Sequence, residues 1–240
     1  MSSLTRKRCL ITGASSGIGK ATALAFAQQD SFDLVLLGRS RSKLDRVAEE
    51  INRLGTAIYA LDFAEVDQIL PAIRRIEQET GSWDILINSA GMGYTGTIAE
   101  TPLQDWQTIL NLNLTSVFQC VQAVLPGMRQ RGAGHIINVA SVAAQQVFPQ
   151  WGPYCVSKAA LLTLSKAIAV EERSQGIRVT TICPGAVNTP LWDTEVVQAD
   201  FDRSKMLTPE VVAQSILQVA LLPPEAVVEE LTIMPSAGAL

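Results

Sequence analysis

The chain has 240 residues, 48% of them hydrophobic and 18% charged, with a formal net charge of −4. That length suits a single α/β domain spanning 1–240, and the lack of any basic excess argues against nucleic acid and anionic membrane surfaces as partners. No run approaches the roughly 18 apolar residues of a membrane span, and the apolar stretch 9–11 behind the polar N-terminus is too short for a signal-peptide core.

The first expected strand, 8–11, leads straight into Thr12-Gly13-Ala14-Ser15-Ser16-Gly17-Ile18-Gly19 and a helix over 17–29. Glycines at a strand-to-helix turn let the backbone approach a diphosphate. The unpaired N–H groups and positive dipole end of the helix then face that anion. Gly13, Ser15, Ser16, Gly17, Ile18 and Gly19 are therefore candidate dinucleotide ligands, the alternative being a tight turn with no ligand. The glycine spacing, three intervening residues and then one, departs from the usual one-then-two fingerprint.

A second strand over 34–37 is followed by Gly38-Arg39-Ser40-Arg41 and a helix over 43–54, with Ser42 and Asp45 at capping-box spacing. An NAD site would place Asp or Glu after this strand to hold the adenosine ribose. Gly38 stands there instead, and two guanidinium groups next to a helix N-terminus oppose its dipole unless an anion joins them. A 2′-phosphate held by Arg39 and Ser40 fits, which points to NADP(H). A solvated basic turn is the plainer alternative. The third strand, 57–61, ends at Asp62-Phe63, where a simple turn role for Asp62 accounts equally well for the residue.

A helix over 66–79 containing Pro71, a strand over 85–88 and a helix over 102–130 containing Pro126 come next. The two prolines predict kinks or early ends. Thr101, with Gln104 and Pro102, marks a helix start. Asn113 lies inside the longest helix, in a mostly apolar stretch and against its own low helix propensity. The fifth strand, 135–140, begins at His135 and ends at Ser141. His135 is the single histidine, so neither a histidine-based metal set nor a Ser-His-Asp triad is expected, and it is assigned a structural role.

Tyr154 and Lys158 are four apart at the start of a helix over 154–175 and share one face. A tyrosine is a poor acid–base group at neutral pH, and a neighbouring ammonium favours its phenolate. Ser141, thirteen residues upstream, would hold a substrate oxygen within reach of that phenol, although a strand-ending serine needs no such role. A strand over 179–183, a helix over 209–221 introduced by Thr208-Pro209, and a strand over 231–234 complete the chain. The strands are nearly continuous in apolar residues, as parallel strands covered on both faces are. Strand alternating with helix throughout predicts a doubly wound Rossmann-type domain, a seven-stranded parallel sheet with helices on both faces. Cys9, Cys120, Cys155 and Cys183 form no C-x-x-C pair and are expected to be buried free thiols in a cytoplasmic protein.

Taken in order, the glycine loop, Asn88-Ser89-Ala90-Gly91, Asn113, Ser141, Tyr154-x-x-x-Lys158 and Pro184-Gly185 resemble the short-chain dehydrogenase/reductase family over residues 8–234. The sequence departs at Ser89, where the family more often has a second Asn. The resemblance implies an NADP(H)-dependent oxidoreductase interconverting a carbonyl and an alcohol. Tyr154 would be the general acid or base, Lys158 would hold the nicotinamide ribose, and Asn113 would anchor a water that links Lys158 to solvent. It further implies that Asp62 and Phe63 meet the adenine and that Asn88, Ala90 and Gly91 line the central cleft. Pro184, Gly185, Val187 and Thr189 would cover the nicotinamide. It also implies a homotetramer, with a dimer second, built on the two long helices.

Candidate substrate-facing segments are 92–99, 142–153 and 188–207, with Tyr94, Gln145, Gln146, Phe148, Trp151 and Trp192. A 3-oxoacyl thioester, a 3-oxo or 3-hydroxy acid and a small ketone all remain open as substrates. Arg129, Arg131 and Arg173 are candidates for docking an acidic carrier, or simply cations at helix C-termini. A non-catalytic NADP(H)-sensing regulator is the alternative function, but it would have no need of the Asn113, Ser141, Tyr154 and Lys158 set.

Overall fold

Seven strands, each following the one before it through at least one helix, form one parallel sheet in the computed structural model, which describes residues 6–238. They are β1 (Lys7–Thr12), β2 (Phe32–Gly38), β3 (Thr56–Ala60), β4 (Ile85–Asn88), β5 (Gly134–Val139), β6 (Ile177–Pro184) and β7 (Glu230–Ile233). Their spatial order is β3-β2-β1-β4-β5-β6-β7. The winding reverses between β1 and β4, and at such a switch point the loops beyond the carboxyl ends part to leave a crevice. Register aligns those ends. Thr12 pairs with both Leu37 and Asn88, and Asn88 pairs with Asn138.

Alternation along the strands sends side chains into two cores. Cys9, Ile11, Leu34 and Leu36 face α1 (Gly17–Ala27), α2 (Arg41–Ile51) and α7 (Pro209–Leu221). Leu10, Val35 and Leu37 face α3 (Val66–Thr80), α5 (Ser116–Arg131) and α6 (Gly152–Glu172). Each such aliphatic side chain contributes about 1.5–3 kcal/mol of transfer free energy, so both layers hold the sheet's carboxyl edge as a stiff frame.

The expected helix over 102–130 is divided. α4 (Leu103–Leu110) passes through a π-helical turn, Asn111–Thr115, before α5 begins. A π turn inserts an extra residue into the ladder, and here it centres on Asn113, whose amide bonds outside the helix. The run Leu103–Arg131 has the length and mean hydropathy (1.3) of a membrane span, beyond what the sequence reading allowed. It is a core element here, packed against α3 on one side and α6 on the other.

Pro71 and Pro126 lie inside α3 and α5, which continue through them, so neither proline brings an early end. The cap of α2 is Ser40 rather than Ser42. Ser40 Oγ accepts the Lys43 N–H at 3.4 Å, while Asp45 pairs with Arg41 at 3.0 Å instead of completing a capping box. Thr101 is likewise not the cap of α4. Its hydroxyl donates to the Thr97 carbonyl at 2.7 Å and Pro102 takes the cap position. All four cysteines are free and buried. His135 is buried beside the Thr180 hydroxyl, 2.9 Å from Nε2, and burial holds its pKa down to about 3.

Candidate active site

β1 ends at Thr12, whose Oγ1 accepts the N–H groups of Ser89 and Ala90, both at 3.1 Å. That pair of bonds stitches the glycine loop to the end of β4. Gly13 has φ +67° and Gly17 φ +52°, the left-handed region that favours glycine. A Cβ on Gly13 would lie 2.8 Å from the Ala90 backbone, and one on Gly19 would lie 2.3 Å from the Gly13 carbonyl oxygen. Only glycine permits the loop to fold back so closely on α1 and β4. This leaves the N–H groups at the start of α1 open to an anion.

From this loop a cleft of about 920 Å³ runs along the sheet's carboxyl edge, near the upper end of sizes common for small-molecule and cofactor sites. Gly13, Ser15, Ser16, Gly17, Ile18 and Gly19 form its floor at the switch point. Arg39 and Ser40 line the end beyond β2, and Asp62 and Phe63 the end beyond β3. Asp62 also serves the turn, its Oδ1 accepting the Ala64 N–H at 3.0 Å. Arg41 is turned to Asp45 and does not line the cleft; Lys43 does, a residue not singled out from sequence. It sits one helical turn beyond Ser40, and the dipole argument made for Arg39 would have found it. The cleft thus has a cradle that a Cβ would fill and two cations at its far end, a lining that a dinucleotide carrying a 2′-phosphate would fit.

Ala90 and Gly91 line the middle of the cleft, as do Pro184, Gly185, Val187 and Thr189. Thr189 stands over the loop, 3.3 Å from where a Cβ on Gly17 would be. Asn88 departs from expectation. It is buried in the sheet, its Nδ2 donating to Asn138 Oδ1 at 2.8 Å, and the neighbouring Ser89 faces the cleft in its place.

Beyond β5 the cleft reaches Ser141, Tyr154 and Lys158. Ser141 Oγ accepts the Ala143 N–H at 3.1 Å, which fixes the serine at the strand end. Lys158 Nζ donates to the Val139 carbonyl at 3.1 Å and lies 5.8 Å from the centroid of the Tyr154 ring. Burial pushes the Tyr154 pKa up to about 12, with the Ser141 hydroxyl acting in the opposite direction. Burial lowers Lys158 to about 8. Before any ligand adds its charge, the phenol is a held proton donor and the amine is close to neutral pH in its titration. Gly91 permits this approach, since a Cβ there would lie 3.5 Å from Lys158 Nζ and 3.1 Å from Asn113 Oδ1.

Asn113 itself does not line the cleft. Its Nδ2 donates to the Met92 carbonyl at 2.9 Å and to Ser157 Oγ at 3.0 Å, and its Oδ1 accepts the Met92 N–H at 2.9 Å. Both amide hydrogens are used, so the side chain clamps the loop after β4 to α6.

Among the substrate-facing candidates, Phe148, Trp151 and Trp192 line the cleft. Gln150, at φ +66°, gives its carbonyl to the Gly96 N–H at 2.7 Å, and that turn delivers Trp151. Tyr94 does not reach the cleft; it is buried, its hydroxyl donating to Asp105 at 3.1 Å. Gln145 is tied to Thr232 at 3.0 Å and to Glu230, and Gln146 is exposed outside the cleft. Leu112 and Met234 line it unannounced, because helix packing and the turn after β7 bring them there. The three arginines weighed for carrier docking have partners within the chain: Arg129 pairs with Glu172, Arg131 with the Trp83 carbonyl, and Arg173 with Glu229 at 2.9 Å.

Residues 7–199 match the family model described as short chain dehydrogenase. An uncharacterized oxidoreductase of Staphylococcus haemolyticus is 32% identical over 98% of this chain and all of its own length. Among solved structures, an alcohol dehydrogenase of the archaeon Thermococcus sibiricus complexed with 5-hydroxy-NADP superposes with a TM-score of 0.88 at 25% identity, covering 98% of this chain and 99% of that one. The serine dehydrogenase of Escherichia coli superposes with a TM-score of 0.85 at 27% identity, covering 97% and 100%. A glycine cradle, a Tyr154–Lys158 pair at one end of the same cleft, and relatives matched along nearly their whole length lead to one conclusion: the chain belongs to the short-chain dehydrogenase family of oxidoreductases.

Proposed function

We propose that the protein is an NADP(H)-dependent carbonyl reductase, interconverting a carbonyl compound and a secondary alcohol with Tyr154 as general acid and base. The observation that carries this is one continuous cleft with two differently equipped ends. A glycine cradle with Arg39 and Lys43 lies at one end, and Ser141, Tyr154 and Lys158 lie at the other. When bound, the reduced nicotinamide supplies the hydride that reaches the carbonyl carbon.

The chain's own residues do the rest. Ser141 donates a hydrogen bond that orients the substrate oxygen, and Tyr154 Oη passes its proton to that oxygen as the alcohol forms. Lys158 holds the ribose hydroxyls, and its ammonium form favours the phenolate left behind. Arg39, Lys43 and the Ser40 hydroxyl hold a 2′-phosphate by charge-assisted bonds, and no carboxylate after β2 competes for a ribose hydroxyl. The 5-hydroxy-NADP in the similar archaeal alcohol dehydrogenase supports the same cofactor here. Asn113 holds Met92 and α6 in place around the reacting groups.

Replacing Tyr154 by Phe tests the chemistry. Turnover of any carbonyl that the parent reduces is expected to fall by about 10²–10⁴, with NADPH affinity unchanged. Near-normal reduction by Tyr154→Phe contradicts the mechanism, and tight NADPH binding by the parent with no turnover across a broad carbonyl panel favours a sensor. A homotetramer belongs to the same reading. It is supported by the apolar, partly exposed Phe118 on α5 and Val156 on α6, and a monomer in light scattering at micromolar concentration contradicts it.

A further inference from the structure

Four aromatic side chains run outward from the phenol in edge-to-face contact. Ring centroids are 5.4 Å apart for Tyr154 and Trp151, 5.6 Å for Trp151 and Trp192, and 5.5 Å for Trp192 and Phe201. The Trp192 indole N–H donates to the Val187 carbonyl at 2.7 Å, so its polar atom is satisfied. Leu112, Phe148 and Leu191 extend this wall.

What the wall lacks is charge. Among the described residues, the charged ones lining the whole cleft are Arg39, Lys43, Asp62 and Lys158. The first three lie beyond β2 and β3, and β2 is three strand spacings from β5, roughly 14 Å. Lys158 lies buried beside the Tyr154 ring. The guanidinium carried by the loop that bears Trp192 and Phe201, that of Arg203, is held by Asn188 Oδ1 at 2.8 Å, by the Thr189 carbonyl at 3.0 Å and by Asp193. The two hydroxyls in the wall are also spent, Thr108 donating to the Gln104 carbonyl at 2.8 Å and Thr194 to that of Leu191 at 3.0 Å.

A carboxylate brought against this wall would lose hydration and find no cation among the wall's own residues, the nearest, Lys158, being buried beside the phenol. A neutral ring would find aromatic edges and faces on which to pack. We infer that the substrate is an uncharged carbonyl compound, or the matching secondary alcohol, bearing an aromatic or similarly bulky apolar group next to the reacting carbon. This separates the chain from acid substrates, the similar serine dehydrogenase notwithstanding. Arg129 and Arg173, weighed as docking cations for a carrier, each pair with a glutamate of this chain, which reduces the positive charge a carrier would meet. The inference rests on the assignment of Ser141 and Tyr154 to the reacting oxygen.

The test uses a matched pair, ethyl 4-oxo-4-phenylbutanoate and the free 4-oxo-4-phenylbutanoate anion. Alongside them are serine with NADP⁺ and the N-acetylcysteamine thioester of 3-oxobutanoate with NADPH. The ester is expected to exceed the anion at least about 100-fold in kcat/KM, as a site rejects a group it leaves unpaired. Calorimetry on NADP⁺-loaded protein is expected to show the same order in binding, independently of turnover. Trp192→Ala is expected to raise KM for the ester about tenfold with kcat little changed, and Trp192→Phe to restore it. Equal handling of ester and anion, in turnover or in binding, overturns the inference, as does preference for serine or the thioester. If that equality appears while Tyr154→Phe still abolishes turnover, only the substrate class is wrong. If Tyr154→Phe stays active while the ester preference holds, only the catalytic assignment is wrong.

Discussion

At the β2 end of the cleft the surface offered to a ligand is mostly backbone. At the β5 end it is mostly side chains, gathered from the turn after β4, the π turn, the segment before α6 and the loop after β6. The first end is held by glycines at positions where a Cβ would meet main chain at 2.3–2.8 Å, so its shape admits almost no variation. The second end is held by aromatic contacts and by Arg203, which staples its own loop to Asn188 and Thr189. Side chains on loops exchange without disturbing the sheet. A chain can therefore keep its cofactor end and vary its substrate end.

Lys158 lies at the β5 end beside Tyr154, and after Tyr154 itself its replacement is expected to have the largest effect. Its folded pKa of about 8, against an ordinary 10.5, means that the unfolded chain binds its proton more tightly. Stability is therefore lowest below pH 8 and rises as pH climbs from 8 toward 10.5. Integrated, the shift costs about 3 kcal/mol at neutral pH. Lys158→Met is expected to recover much of that in denaturant unfolding at pH 7, with the gap closing near pH 10.5, while turnover falls at least about 100-fold. Equal stability of the two proteins at pH 7 would mean that the ammonium is better solvated than its burial suggests.

Arg39→Asp probes the cofactor end alone. It removes one charge-assisted contact, worth about 1.5–3 kcal/mol, and the preference for NADPH over NADH is expected to narrow by about 10- to 150-fold. Steady-state kinetics with both cofactors measure it, and equal efficiency already in the parent would remove the argument from Arg39. The smallest effect is expected at Gln145, which lies near Ser141 in sequence but is tied to Glu230 and Thr232 outside the cleft. Gln145→Ala is expected to leave kcat/KM within about twofold for any substrate. A larger change would move the boundary of the substrate end toward β7.

Strand positions were readable to within one or two residues, because runs such as Leu34 to Leu37 are buried on both faces and must be apolar throughout. Cap chemistry was less readable. Ser40 and Ser42 are equally good caps by type, and which of them caps α2 is read only from the Ser40–Lys43 bond. The π turn was invisible as such, since Asn113 signals a poor helix residue but not what its amide will bond. Asn88 and Tyr94 were placed in the cleft by their neighbours in the chain, and both are turned away by partners distant in sequence or on another element, Asn138 and Asp105.

The amino-acid sequence by itself determined the alternation of strand and helix, the glycine loop after β1, the cations after β2 and the pairing of Tyr154 with Lys158. Each of these depends on neighbours within a few residues, through backbone sterics, helix dipoles or the pitch of a helix. Only the tertiary structure decided that Lys43 rather than Arg41 joins Arg39 and that Asn113 acts as a clamp. It alone decided that Trp151, Trp192 and Phe201 close into one uncharged wall beside Tyr154. Those outcomes depend on which partner each side chain meets across the fold. A lone arginine such as Arg203 carries no mark in the sequence of whether its charge is free or already spent.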